Sequence, residues 1–296
     1  MMIMFNEVRS NKAKSFLLVA LFIIIIGVLG AVLGEVYGSL AFGVSVSVVI
    51  AVIYSLFGYF SGDSMILSMS GARPVAKAEY PYLYHTIEGL SIAAGIPVPK
   101  AYVIEDSALN AFATGRRPET ASITVTTGLL KVMNRQELEG VVAHEMSHIK
   151  NYDIRFMMLT VVLVGIVTLL SDFILRSFLW GGKNDDSKSG PAPLIAVGLI
   201  LAVLSPVIGE MIKLAVSRKR EFMADASGAV MTRYPQGLAD ALKKIAKDPD
   251  PLVDKANKAT AHLFISTPFR KKRSFVAGLF STHPPIDERI RRLESM

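Results

Sequence analysis

In the stretch VVAHEMSHIKNYD, Val141 to Asp153, two of the chain's five histidines stand four residues apart with a glutamate between them. Positions i and i+4 of a helix share a face, so His144 and His148 can aim ring nitrogens at one point, about 2 Å from a zinc ion. Glu145 then sits beside the metal rather than on it. From there it can take a proton from a water whose pKa zinc has lowered to roughly 7, and hand it to a departing amine. That chemistry is peptide-bond hydrolysis without a covalent intermediate. The bland alternative is two histidines capping a helix that ends near a membrane.

A third ligand is needed, and SRKREFMADASG, Ser217 to Gly228, offers two carboxylates four apart, Glu221 and Asp225. One helical face would carry both toward the same region. Glu221 is the expected third ligand. Asp225 is better used as an acceptor that fixes a histidine tautomer, because two histidines and one glutamate leave the site a net positive charge that a second direct carboxylate would neutralise. The alternative is a solvated face pairing with Arg218, Lys219 and Arg220.

The elements that must position these groups are largely apolar. The 296 residues are 51% hydrophobic yet 19% charged, with a mean hydropathy of +0.43, the balance of a membrane protein with a water-facing portion. Phe16 to Gly34 and Ser39 to Phe60, 19 and 22 positions, contain no charge and are long enough to cross a bilayer as helices. The first is read as a retained anchor rather than a signal peptide, because a second span follows at once. Phe156 to Trp180 and Pro191 to Gly209 are further candidates, separated by the polar loop Gly181 to Pro191. Asp172 and Arg176 in the former leave a surface-lying or re-entrant helix open. If both soluble ligand segments are helical, His148 lies about 12 Å along the axis from Phe156, and Glu221 about 16 Å from Glu210. The metal is therefore expected near the bilayer.

No cysteine is present, which excludes a thiolate metal site, a disulfide framework and a cysteine nucleophile. The net charge of +7 is concentrated beside apolar segments, where lipid headgroups and topology account for it, so no nucleic-acid partner is expected. Lysine and arginine enrichment at the N-terminus, in Ser61 to Arg155 and from Ser217 onward places both soluble segments on the cytoplasmic side.

Between the spans, Ala78 to Ala94 reads as a helix and Ala101 to Ile104 as a strand. Ala121 to Thr127 reads as a second strand stopped by Gly128. Asn134 with Glu137 three positions on starts a helix through the histidines with a capping box. Arg289 and Arg292 are expected to pair with Glu288 or lipid phosphate, and His85 and His262 have no motif context.

With HEMSH and REFMADASG, the pieces ALNAFATGRRP from Ala108, ITVTTGLL from Ile123 and FSTHPPIDERI from Phe280 occur in one order along nearly the whole chain. Together they resemble the HtpX-type membrane zinc metalloproteases, relatives of the CAAX prenyl endopeptidases within the gluzincins. The resemblance implies a multi-pass endopeptidase of the bacterial cytoplasmic (inner) membrane acting in quality control of damaged or misassembled membrane proteins. It also implies zinc on His144, His148 and Glu221 with Glu145 catalytic. Gluzincin-like sites bind an extended substrate along a sheet edge, which would place Asn110 and Ala111, in a loop before the strand at Ile123, against the substrate; Asn110 could equally cap a turn. His283 could polarise the scissile carbonyl or its oxyanion, or be a surface histidine. Phe264 to Arg273 matches no family pattern.

The expectation is an α+β membrane protein: a mostly helical gluzincin-like metalloprotease domain with a small sheet, plus four transmembrane helices. Residues 1–60 form an N-terminal transmembrane hairpin, 61–155 the first half of a cytoplasmic protease domain, 156–216 a second hairpin, and 217–296 the second half. One Zn2+ per chain is the default metal, and the partners are polypeptide substrates and the bilayer. A non-catalytic module with a structural metal is disfavoured because such sites are closed by four protein ligands. A transporter is disfavoured because the charges fall at segment ends.

Overall fold

The computed structural model describes residues 2–36, 38–181, 218–248, 263–265 and 284–296, the side chains of 2–6, 36 and 168–181 excepted. The expected span Pro191 to Gly209, His262, His283 and the basic cluster after Ile265 lie outside the described residues, as do the side chains of Asp172 and Arg176.

Two long helices open the chain, α1 (Met2–Val36) and α2 (Leu40–Met69). Both are long and apolar enough to cross a membrane, with mean hydropathies of 3.2 and 2.4 over their most apolar windows. Phe16, Ile24, Phe42, Ile53 and Phe60 all point outward, an apolar belt that water would not tolerate and lipid does. The helices pack backbone to backbone: a methyl on Gly43 would collide with the Gly30 carbonyl and with Gly34, so small residues at this crossing set the hairpin's closeness.

After a turn at Gly71 (φ 65), the short strand β1 (Arg73–Pro74) and helix α3 (Pro81–Ala94) follow. The helix starts at Pro81, later than Ala78, because a proline fits the first helical turn. Strands β2 (Lys100–Ile104), β3 (Ala111–Thr114) and β4 (Ser122–Thr126) complete a sheet in the order β1-β2-β4-β3, with β2 and β4 parallel and β3 antiparallel at one edge. Two sequence readings are corrected here. Ala111 opens strand β3 rather than lying in a loop, and Gly128 does not end a strand but sits inside helix α4 (Thr127–Val132), where the Thr126 hydroxyl caps the turn by accepting from Leu129 N–H. Alternation then divides the sheet. Val103, Ala111, Ala113, Ile123 and Val125 join one core with α3, whereas Ile104 and Phe112 join a second with the apolar helices.

Helix α5 (Arg135–Lys150) carries the two histidines and is followed by α6 (Asp153–Gly181). Helices α7 (Arg218–Thr232) and α8 (Pro235–Ala246) pack on α5, and α9 (Ile286–Glu294) packs on α7 and α8. The described chain is thus mostly helical with one small mixed sheet.

Candidate metal centre and active site

Helix α5 begins with the expected capping box: Asn134 Oδ1 accepts from Glu137 N–H at 3.0 Å, and Glu137 Oε2 accepts from Asn134 N–H at 2.8 Å. Every residue from Gly140 to Ile149 is buried, because α3, α7, α8 and β3 enclose the helix. A methyl on Gly228 of α7 would stand 3.2 Å from the backbone nitrogen of His144. That close approach lets α7 lay its carboxylates over the histidines.

The result is one cluster. His144 Nε2 and His148 Nε2 are 3.2 Å apart. Glu221 places one oxygen 3.7 Å from the first and the other 3.6 Å from the second. The three donor atoms lie within 4.8 Å of one another, all on buried side chains. Two nitrogens on one tetrahedral ion, at bonds of 2.0–2.1 Å, would be separated by about 3.3 Å. Two imidazoles and a carboxylate, a donor set suited to zinc, fit such an ion and leave a fourth position open.

Each imidazole is turned by its own carboxylate. Asp225 Oδ1 lies 2.9 Å from His144 Nδ1, and Asp153 Oδ2 lies 2.9 Å from His148 Nδ1. With both Nδ1–H groups donated outward, two Nε2 lone pairs face each other, an arrangement that calls for a proton or a cation between them. Asp153 reaches His148 because the chain reverses at Tyr152, held in the left-handed region at φ 62.

The two histidines nevertheless titrate apart. Burial and the facing charge of Arg289 push His144 down to about 4 against the pull of Asp225. Burial acts the same way on His148, but the Asp153 hydrogen bond and the charges of Glu221, Asp153 and Glu145 outweigh it and hold the ring up to about 9. Burial, reinforced by the charge of Glu221, raises the Glu145 carboxyl to about 7, although His148, Arg289 and the Ala113 N–H favour its ionised form. A carboxyl poised near neutrality can both accept and return a proton. Asp225 stays ionised, at about 2, because the Arg289 charge and the hydrogen bonds from His144 and Arg289 overcome its burial.

Arg289 corrects a sequence expectation. It pairs neither with Glu288 nor with lipid but is 1% exposed, donating Nε and Nη2 to the two oxygens of Asp225 at 2.9 and 2.7 Å. It also donates Nη1 to the Ile265 carbonyl at 3.1 Å. Arg292 does pair with Glu288, at 2.7 Å. Arg289 carried no signal of its own, since its neighbours on the same short helix are arginines too. Asp153, equally missed, stood in the opening motif five residues past His148, out of helical register with it.

The outer edge of β3 borders this cluster. The Ala113 N–H points to the Glu145 carboxyl, and the Ala111 carbonyl accepts from Ile265 N–H at 2.9 Å. Asn110 Oδ1 accepts from the Ala111 N–H at 3.1 Å.

A sequence model described as peptidase family M48 matches residues 77–296. The chain belongs to peptidase family M48. Among M48 relatives it is similar to a protein named "Protease HtpX homolog" from Dictyoglomus turgidum, 44% identical over 99% of this chain and 94% of that protein. A protein of the same name from Streptococcus gordonii is 41% identical over 99% of this chain and 100% of its own length. This M48 chain is also similar in fold to Ste24p of S. mikatae, with a TM-score of 0.53 at 21% identity, covering 98% of this chain and 67% of that one. Membership in M48, with these relatives, makes the chain a metalloprotease.

Proposed function

We propose that this chain is an integral-membrane zinc endopeptidase that binds one Zn2+ through His144, His148 and Glu221 and uses Glu145 as its proton carrier. The observation that carries the reading is the buried meeting of three donor atoms within 4.8 Å, drawn from two segments far apart in sequence, beside a glutamate that cannot share their helical face. A zinc ion held there would supply an acidified water and polarise the scissile carbonyl. Glu145 takes the water's proton and returns it to the leaving amine, a cycle for which a pKa near 7 is suited. Asp225, fixed by Arg289, and Asp153 keep the two imidazoles turned inward.

Substrate would enter as an extended strand along the outer edge of β3, with Asn110 and Ala111 as its first contacts. The Ala111 carbonyl already accepts from Ile265 N–H, so a substrate amide pairing there would take the place of that bond. Main-chain pairing of this kind selects little by side chain, which suits quality control of misfolded or damaged membrane proteins. His283 is proposed to polarise the oxyanion. Residues 1–60 are proposed as one transmembrane hairpin and 156–216 as a second, giving four spans in the bacterial inner membrane. Residues 61–155 and 217–296 are then the cytoplasmic halves of the protease domain; the packing of α7 and α8 on α5 supports their union.

The test compares purified wild-type protein with Glu145→Gln for zinc content and for cleavage of an unfolded membrane protein in detergent. The variant should keep its zinc and lose cleavage by several orders of magnitude. Cleavage at the wild-type rate would end the proposal.

A further inference from the structure

Helix α1 reaches the surroundings of the metal cluster through polar side chains, of which Asn11 is buried against a carboxylate that holds a histidine, while Glu7 pairs with Lys219 at 3.4 Å and Lys12 lies over the Tyr152 ring. Asn11, 1% exposed, donates Nδ2 to the Asn151 carbonyl at 2.9 Å and to Asp153 Oδ1 at 2.6 Å. The other oxygen of that carboxylate takes the Nδ1 side of His148 at 2.9 Å. A continuous line therefore runs from the first apolar helix through Asp153 to one of the histidines, across 142 positions of sequence.

The residue type matters. A buried amide inside an apolar helix is unfavourable unless its hydrogen bonds are made. A neutral donor also pins a carboxylate without cancelling its charge. Arg220 adds an ion pair to the same oxygen, its Nε at 3.6 Å. The amide itself leaves Asp153 its ability to make the His148 imidazole basic while removing its freedom to rotate.

We infer that Asn11 is a positioning residue of the metal centre: by holding Asp153 it sets the tautomer and ring orientation of His148, so that helix α1 is a working part of the site and not an anchor alone. The inference rests on the proposal that His148 is a ligand. Its test uses the full-length protein in detergent, stripped of metal, with zinc affinity read by chelator competition and the cobalt-substituted form read by visible absorption. Asn11→Leu should weaken zinc by about tenfold and shift the cobalt spectrum, and should add nothing on an Asp153→Ala background. Leu18→Ala, a buried change on the same helix, should lower the melting temperature and leave zinc affinity at the wild-type value. Should Asn11→Leu fail to fold, Asn11→Ala removes the same amide without added bulk and is read on the same scale. Wild-type zinc affinity and an unshifted spectrum in the Asn11 variant, or full additivity with Asp153→Ala, overturn the inference. Wild-type zinc binding by His148→Ala would overturn the ligand set beneath it.

Discussion

Arg289 and Asp225, 64 residues apart, form a two-point ion pair with both side chains buried, and the carboxylate is shared with His144 Nδ1. Removing one member of a buried pair leaves the other uncompensated, at a cost of about 3–5 kcal/mol. Arg289→Ala should therefore unfold at markedly lower temperature than wild type. Arg289→Lys, which keeps the charge but loses the fork, should fall between them. Thermal unfolding of the metal-free protein checks the order, and equal melting temperatures would contradict the pair's structural weight.

The two carboxylates behind the histidines make a second expectation. Asp225→Asn and Asp153→Asn each remove a charge that makes an imidazole a better ligand, so each should weaken zinc by about 10- to 100-fold. Chelator competition measures this, and an unchanged constant in either variant would mean that its histidine is oriented by something else.

Zinc binding should depend on pH with a definite sign. His148, held up to about 9, carries a proton at neutral pH in the metal-free protein, and zinc must displace it. Apparent affinity should therefore fall as pH drops below that value, by about tenfold per unit between pH 6.5 and 8.5. Above the folded pKa the curve should level. Calorimetry at pH 8 in buffers of different ionisation enthalpy should register about one proton released per zinc.

The α1–α2 crossing gives a prediction outside the site. Any side chain at Gly43 collides with the Gly30 backbone, so Gly43→Val should pry the hairpin apart. The chain has no cysteine of its own, so a pair introduced at Gly27 and Val48, which face each other, reports on the crossing. Oxidative bridging should proceed in the wild-type background and drop when Gly43→Val is added.

Much of the architecture could be read before any coordinates. The uncharged runs from Phe16 and Ser39 announced two long apolar helices, and the Asn134–Glu137 pair announced the start of α5, because charge-free length and capping chemistry are local properties. Errors fell where local signals compete. Gly128 looks like a strand stop, yet it is needed inside α4 because a methyl there would strike the Ser107 carbonyl. Ala111 looks like loop, yet pairing with Val125 across β4 makes it strand.

By itself the sequence determined that His144 and His148 share a helical face and that Glu145 cannot join them, since the period of 3.6 residues decides both. It also confined any metal to oxygen and imidazole donors. Tertiary structure alone decided that Asp153 serves His148, that Arg289 rather than another arginine of its helix clamps Asp225, and that Asn11 reaches Asp153. Helical periodicity governs neighbours a turn apart, whereas partners 64 and 142 residues away are selected by which buried polar groups must find one another once the helices pack.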